Sequence, residues 1–390
     1  AKPVQPSLLE KTLLKVENGG CQNLTRYKNF YAKFNSVTTG SGIAPGVRYW
    51  KPRLLGSELT FQASGAYSFK KYQLYDLQFG KVYPKGRDFL VRPSSGSGAS
   101  FLSGETARKT RPDFFLYADL RYRDFPDEDF FGSGPHSRKD DQTDFSLTDI
   151  SYDAVLGYQF NSWFTALARV GYLLVDIDPG EDSRYPDTQD LFNDDSAPGL
   201  SHQPDFLHVN AGLLMDFRDR PGNPHRGGSF AFSAARFDDR GGNGQFEFNR
   251  FSVDGRYYLA LGSEQRVLAF RFFTSLDDEN GESRVPFYLQ ETLGGDTALR
   301  GFRNFRFRGT HLLYLSAEYR WEASPALEFA IFYDRGKVFA DHADWDFTGL
   351  EKGFGLGVRA KTLQSVLLRV DFARSREDTF RVSFKFSRSF

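Results

Sequence analysis

From Thr379 to Phe390 the chain alternates with a period of two. Phe380, Val382, Phe384, Phe386 and Phe390 share one parity, and Arg381, Ser383, Lys385, Ser387 and Ser389 hold the other. Successive side chains of a β-strand point to opposite faces, so this is a strand with one apolar and one polar face. Arg388 breaks the apolar side close enough to the end to sit at the level of lipid headgroups. The same alternation recurs upstream. Val366, Leu368, Val370 and Phe372 alternate with Leu367, Arg369 and Asp371. Leu327, Phe329, Ile331 and Tyr333 oppose Glu328, Ala330, Phe332 and Asp334. Leu313, Leu315, Ala317, Tyr319 and Trp321 oppose Tyr314, Ser316, Glu318 and Arg320. No run of residues approaches the roughly 18 apolar positions of a membrane-spanning helix. Mean hydropathy is low, at −0.49. A barrel in lipid produces that average, because only every second residue needs to be apolar when the others face a wet lumen. The 41 Phe, 19 Tyr and 37 Gly suit pleated surfaces, tight turns and barrel bends.

Strands are expected at 27–36, 42–51, 56–68, 70–82, 113–122, 147–160, 162–176, 205–218, 228–238, 246–261 and 264–275. Five more follow, at 311–321, 327–338, 353–361, 366–372 and 379–390. Sixteen is an even number, as single-chain bacterial barrels require. The expected fold is therefore all-β: a sixteen-stranded antiparallel transmembrane β-barrel spanning 27–390, preceded by a periplasmic tail or plug at 1–26. Loop lengths support it, since outer-membrane barrels join strands by short periplasmic turns and long outer loops. With both termini periplasmic, the outer connections are 123–146, 177–204, 239–245, 276–310 and 340–352. The short inner ones include Asn161-Ser162, Gly262-Ser263, Glu322 to Ser324 and Thr362-Leu363. The insert 83–112 falls on the periplasmic side yet is long. Its Ser94-Ser95-Gly96-Ser97-Gly98 run and its six Lys and Arg side chains fit either a disordered insertion or a docking element for a periplasmic partner.

Other features narrow the function. A single cysteine, Cys21, excludes an internal disulfide framework and any Cys-based metal site. Ala1 in place of an initiator Met reads as a mature, processed chain, which is compatible with export. A formal net charge of zero leaves no nucleic-acid footprint. The six histidines, His136, His202, His208, His225, His311 and His342, show no metal-ligand spacing, and no cofactor or metal is expected. The loop 177–204 is acidic, with Asp178, Glu181, Asp182, Asp187, Asp190, Asp194 and Asp195, and reads as a solvated loop or a cation bridge to lipopolysaccharide. Phe130-Phe131 reads as a cap over the lumen or a contact with the lipid surface. Nothing assembles a Ser/His set with a polar orienter, so no enzyme is expected.

Three stretches carry a resemblance. Leu293-Gly294-Gly295-Asp296-Thr297-Ala298-Leu299-Arg300-Gly301-Phe302 resembles the signature of the BamA- and TamA-type outer-membrane assembly factor superfamily, the bacterial surface antigen barrels. In that family the sixth outer loop folds back into the barrel with an Arg-Gly-Phe tip. Here the segment lies in 276–310, between the eleventh and twelfth expected strands. The segment from Asp216 to Gly227, containing Arg218, Asp219 and Pro224, is similar to the family's periplasmic turn after strand 8. The C-terminal strand with Phe384, Phe386 and Phe390 resembles the assembly signal of outer-membrane barrels, which makes the assembly machinery a partner during the chain's own biogenesis. About 26 residues precede the first strand here, too few for the family's POTRA domains, so a barrel-only member is expected.

An arginine inside a lumen needs carboxylates, because an unpaired buried charge is costly. Glu318 and Asp334 have lumen parity, and they match the family positions that contact this arginine. Arg300 is expected to pair with one or both, with Gly301 turning the backbone and Phe302 as the apolar anchor: a loop 6 lock. The resemblance implies insertion or passage of proteins, or of lipids, at the outer membrane. The proposed basis is a weak seam between the first and last strands. A scaffold with a partner at 83–112 and a passive channel stand as alternatives. Other partners expected are outer-membrane lipid and lipopolysaccharide, client proteins, and further copies in an oligomer.

Overall fold

The computed structural model describes residues 26–386 except 28, 36, 39, 83–111, 221, 242–243, 280 and 362–365. The tail 1–25, nearly all of the 83–112 insert, and Phe390 lie outside the described residues. The elements open with β1 (Arg26–Tyr27), β2 (Phe30–Asn35), β3 (Ala44–Lys51), β4 (Thr60–Tyr67) and β5 (Gln73–Lys81). Then come β6 (Asp113–Phe130), β7 (Thr143–Gln159), β8 (Phe164–Pro179), β9 (Phe206–Asp216) and β10 (Gly227–Asp239). After β11 (Phe248–Ala260) and β12 (Arg266–Glu279), two short strands, β13 (Glu291–Leu293) and β14 (Phe307–Gly309), pair with each other. The chain ends with β15 (His311–Ser324), β16 (Leu327–Phe339), β17 (Glu351–Lys361), β18 (Val366–Arg374) and β19 (Arg381–Phe386).

One sheet of 17 strands holds all but β13 and β14. Each strand pairs antiparallel with the next along the chain, and β12 skips the short hairpin to pair with β15. Sixteen of these strands answer to the sixteen expected from the alternation; the extra one is the two-residue β1. Its origin is local. Asn29 sits at φ 75, a left-handed conformation that Asn tolerates better than most residues, and the chain reverses there. Arg26 and Tyr27 then pair with Tyr31 and Phe30, so the single strand expected over 27–36 becomes a small hairpin. The strands expected to close the sheet are β2 and β19. Both are short, at six residues each, and part of the β2 edge is taken by β1.

The two faces are inverted relative to a water-soluble protein. Leu156, Val170, Phe232, Phe270, Ile331 and Leu356 are exposed. Asp153, Arg169, Asn210, Asp254, Glu318, Asp334, Arg359 and Asp371, on the alternate positions, are buried. An apolar exterior over a charged interior is what a sheet in lipid requires. Among the described residues no helix is long and apolar enough to cross a membrane.

Strands β6 and β7 run further than the alternation indicates, shortening the connection expected at 123–146. The register shifts between Phe125 and Glu128, a bulge that accommodates Pro126 inside a strand. At that end Phe130 and Phe131 are almost fully buried. Phe130 packs on Phe192 and Phe287 at 4.8 and 5.0 Å between ring centroids, which makes the pair part of an internal cap. The connection expected at 276–310 also shrinks, because β12 continues to Glu279. What remains packs on the enclosed face and supplies Leu293, Leu299, Phe302 and Phe307 to its apolar core.

Candidate functional site

The chain between β12 and β15 folds onto the polar face as β13, an Arg300 tip and β14. Two features hold the tip in a shape that few sequences adopt. Leu299 has φ 53 and is fully buried, while Gly301 has φ 100, where a Cβ would come 2.8 Å from the Arg374 backbone. Only glycine enters that conformation without strain. The Gly301 carbonyl accepts a bond from Ser375 Oγ at 2.8 Å, and Phe302 is buried against Phe307 at 5.1 Å between centroids.

Arg300 itself is almost fully buried. It donates Nε and Nη2 to the two oxygens of Asp334 at 2.7 and 2.8 Å, a bidentate fork, and Nη1 to Glu318 Oε2 at 3.0 Å. Its backbone N–H also bonds Asp334 Oδ2, at 3.0 Å. The guanidinium carbon lies 3.5 Å from the Phe332 ring centroid, close enough for a cation–π contribution. Asp371 Oδ2 is a further 3.7 Å contact. Glu318 is shared, accepting from Arg320 at 2.7 Å and from Arg359 at 2.5 Å. The tip thus bonds both Glu318 of β15 and Asp334 of β16, which share the enclosed face.

The turn between β9 and β10 is a second ordered unit. Asp216 accepts two bonds from Arg218, at 2.9 and 2.8 Å, with both residues buried. Asp219 accepts the backbone N–H of His225 at 2.9 Å and of Arg226 at 3.1 Å. Burial opposes its charge, but these backbone bonds outweigh burial and hold the Asp219 carboxyl below the usual carboxylate range. Pro224 is buried, and Gly227 has φ 87, where a Cβ would overlap the Phe217 carbonyl. His225 Nε2 meets Glu322 Oε1 at 2.6 Å, and Lys361 also bonds Glu322, so the turn is anchored to β15 and β17. Of the C-terminal signal residues, Phe384 is exposed on the apolar face and Phe386 ends β19.

Sequence reasoning missed three contributors. A Cβ on Gly353 of β17 would overlap the Arg300 carbonyl oxygen, so this glycine admits the tip. Its only signal is a glycine in strand alternation, which also marks bends and bulges. Arg306 is buried and forks onto Glu377, both bonds 2.8 Å, and also bonds Ser137 Oγ at 2.9 Å. Arg308 lies among the Phe130, Phe145 and Phe287 rings and donates to the Phe287 carbonyl at 2.8 Å. Both were legible only as further positive charges near the Arg300 motif.

Comparison with known proteins bears on the fold. BamA from Haemophilus ducreyi, solved without its POTRA domains 1–3, superposes with a TM-score of 0.61 at 14% identity, over 96% of this chain and 77% of that one. CdiB from Escherichia coli superposes with a TM-score of 0.54 at 13% identity, over 91% of this chain and 61% of that one. The chain thus spans about three-fifths of the CdiB chain, and at these identities the likeness is one of fold. No curated protein sequence matches the chain. The model of the Omp85 superfamily domain matches residues 47–390, which takes in the sheet from β3 onward, the Arg300 tip and the anchored turn; the chain belongs to the Omp85 superfamily.

Proposed function

We propose that the chain closes as an outer-membrane barrel with the Arg300 segment inside its lumen as loop 6. The long connections then face outward, while the short turns and both termini face the periplasm. In that setting it acts in insertion or passage of proteins at the outer membrane, the reading that kinship with BamA and CdiB favours. No catalytic step is assigned. The work is templating: an unpaired strand edge in lipid is costly, and an incoming strand relieves it.

The observation that carries this reading is how little backbone pairing β2 and β19 can offer, at six residues each and with β1 on part of the β2 edge. A wide diffusion channel fits less well, because Arg300, Arg306 and Arg308 tie the 281–310 segment to the enclosed face from several sides. The test is photo-crosslinking in intact envelopes, with a crosslinking residue at Phe34 of β2 and another in the 83–112 insert. Nascent barrel proteins trapped at Phe34 support the assembly role. A silent Phe34 with one stable partner at the insert sinks it and favours a scaffold.

A further inference from the structure

Between the Arg300 tip and the 217–226 turn lies a cavity of about 270 Å³ on the enclosed face. Gly222, Asn223 and Pro224 of the turn and Val366 at the start of β18 line it, so it reaches the short-turn end of the sheet.

Its walls are unusually cationic. Arg256 and Arg271 both pair with a single carboxylate, Asp254. Arg300, Arg320 and Arg359 converge on Glu318, which is the one carboxylate lining the cavity; Arg300 also pairs with Asp334, and Arg359 with Glu328. Arg218 is matched to Asp216, and Arg369 to Asp371. Lys385 of β19 lines the same space with no hydrogen bond or ion pair among the described residues, and Asp296 is a negative charge that acts on it. Among the described residues the seven lining arginines thus pair with six carboxylates, of which Glu328 is also shared with Lys361.

A second observation is independent of charge. Asn223 is 2% exposed and lines the cavity, and its Nδ2 has no hydrogen-bond partner among the described residues. A buried amide donor without an acceptor is costly, and an ammonium held among arginines without a bonded carboxylate is exposed to their repulsion. Both costs are removed by one species: a compact anion with several acceptor oxygens. Phosphoryl oxygens suit this setting better than a single carboxylate, because they accept from an ammonium, an amide and guanidinium forks at once.

We propose that this cavity is a binding site for a phosphorylated anion that enters from the short-turn end, with Lys385 and Asn223 as its direct donors and the surrounding arginines supplying the field. The site goes beyond the assembly reading and does not depend on it. The ligand is a free phosphate ester or a lipid headgroup, two sources of one chemistry.

The test uses the purified chain in a maltoside detergent with phosphate-free buffer. Inorganic pyrophosphate is titrated calorimetrically, and phosphatidic acid is added before native mass spectrometry. Saturable pyrophosphate binding is expected, weakened at least about tenfold, or about 1.4 kcal/mol, in Lys385→Met and in Asn223→Leu. Arg226→Gln, on the exposed side of the turn, should leave it unchanged. Retention of phosphatidic acid by the wild type and its loss in both variants assigns a headgroup. Pyrophosphate binding without lipid retention assigns a soluble ester. If Lys385→Met does not fold, Asn223→Leu alone decides. Lack of saturable binding of either probe, or equal binding by wild type and variants, overturns the proposal.

Discussion

Two regions of the same sheet are built on different principles. Strands β6, β7 and β8 run for 18, 17 and 16 residues, well beyond the roughly 9–11 that span a bilayer. At the other side β2, β3, β4 and β19 have 6, 8, 8 and 6. The long wall carries its own internal bonding: Arg123 forks onto Asp149, and His208 lies 3.1 Å from Asp153. The short side has little ladder and is held by loop charges instead. Arg306 grips Glu377 in the β18–β19 connection, and Lys139 from the β6–β7 connection reaches Asp378 beside it at 2.7 Å. Where backbone pairing runs out, side-chain staples carry the load, and staples can be removed one at a time.

The largest break in that comparison is expected at Arg300. Arg300→Ala leaves Asp334 and Glu318 buried with less counter-charge, and losing one partner of a buried pair costs about 3–5 kcal/mol. The expected outcome is a marked drop in the temperature at which the folded form is lost on a semi-native gel. Hydrogen exchange should rise first in β15 to β19 and leave β6 to β8 protected. Unchanged heat resistance would remove the lock from the account of how β15 to β19 are held.

Next in size is the staple at Glu377. A double-mutant cycle of Arg306→Ala and Glu377→Gln should show a coupling of about 0.5–3 kcal/mol, read from denaturant unfolding of the detergent-folded chain. Exchange in the β18–β19 connection should rise in each single variant, and little further in the double. Additive effects would mean that the two residues act separately and that the short side is not stapled there.

The difference between the regions also explains what the sequence made legible. Parity in β15 and β16 put Glu318 and Asp334 on the enclosed face, because a period of two leaves each side chain only two directions, and the family resemblance singled them out as partners of Arg300. Loop lengths likewise marked the two ends of the sheet. The closeness of Gly353 to the Arg300 carbonyl was not legible, since it depends on how near a loop comes to a strand some fifty residues away in the chain. The reach of Arg306 to Glu377 was hidden for the same reason: both sit in loops, where no periodicity fixes direction. The reversal at Asn29 was hidden in a run of aromatics that alternates poorly, and a strand was the natural reading of it.

That reversal gives a smaller effect. Asn29→Val places a β-branched residue at φ 75, which costs about 1–2 kcal/mol and should release β1 from the edge of β2. The Tyr31 and Phe30 amides should exchange faster, with β6 to β8 unaffected. If Phe34 crosslinking in the same variant captures more client, β1 covers the edge that clients use. If capture is unchanged, β1 is a passive cap.

The smallest expected effect lies in the turn. Asp219 has its carboxyl held below the usual range by the His225 and Arg226 backbone N–H groups. The sign follows from linkage: a group depressed in the folded state adds stability above its unfolded pKa of about 3.9 and loses it as pH falls through the folded value. Between neutral pH and about 4 the turn should therefore stay intact, and loosening should appear only below that. The amide signals of His225 and Arg226, followed by NMR against pH, should move together in that acid range. Asp219→Asn keeps an acceptor oxygen but cannot titrate, so it should flatten the transition while leaving the turn formed at neutral pH. If the transition persists in Asp219→Asn, the acid sensitivity belongs elsewhere, and Glu322, which bonds both His225 and Lys361, is the group to replace next.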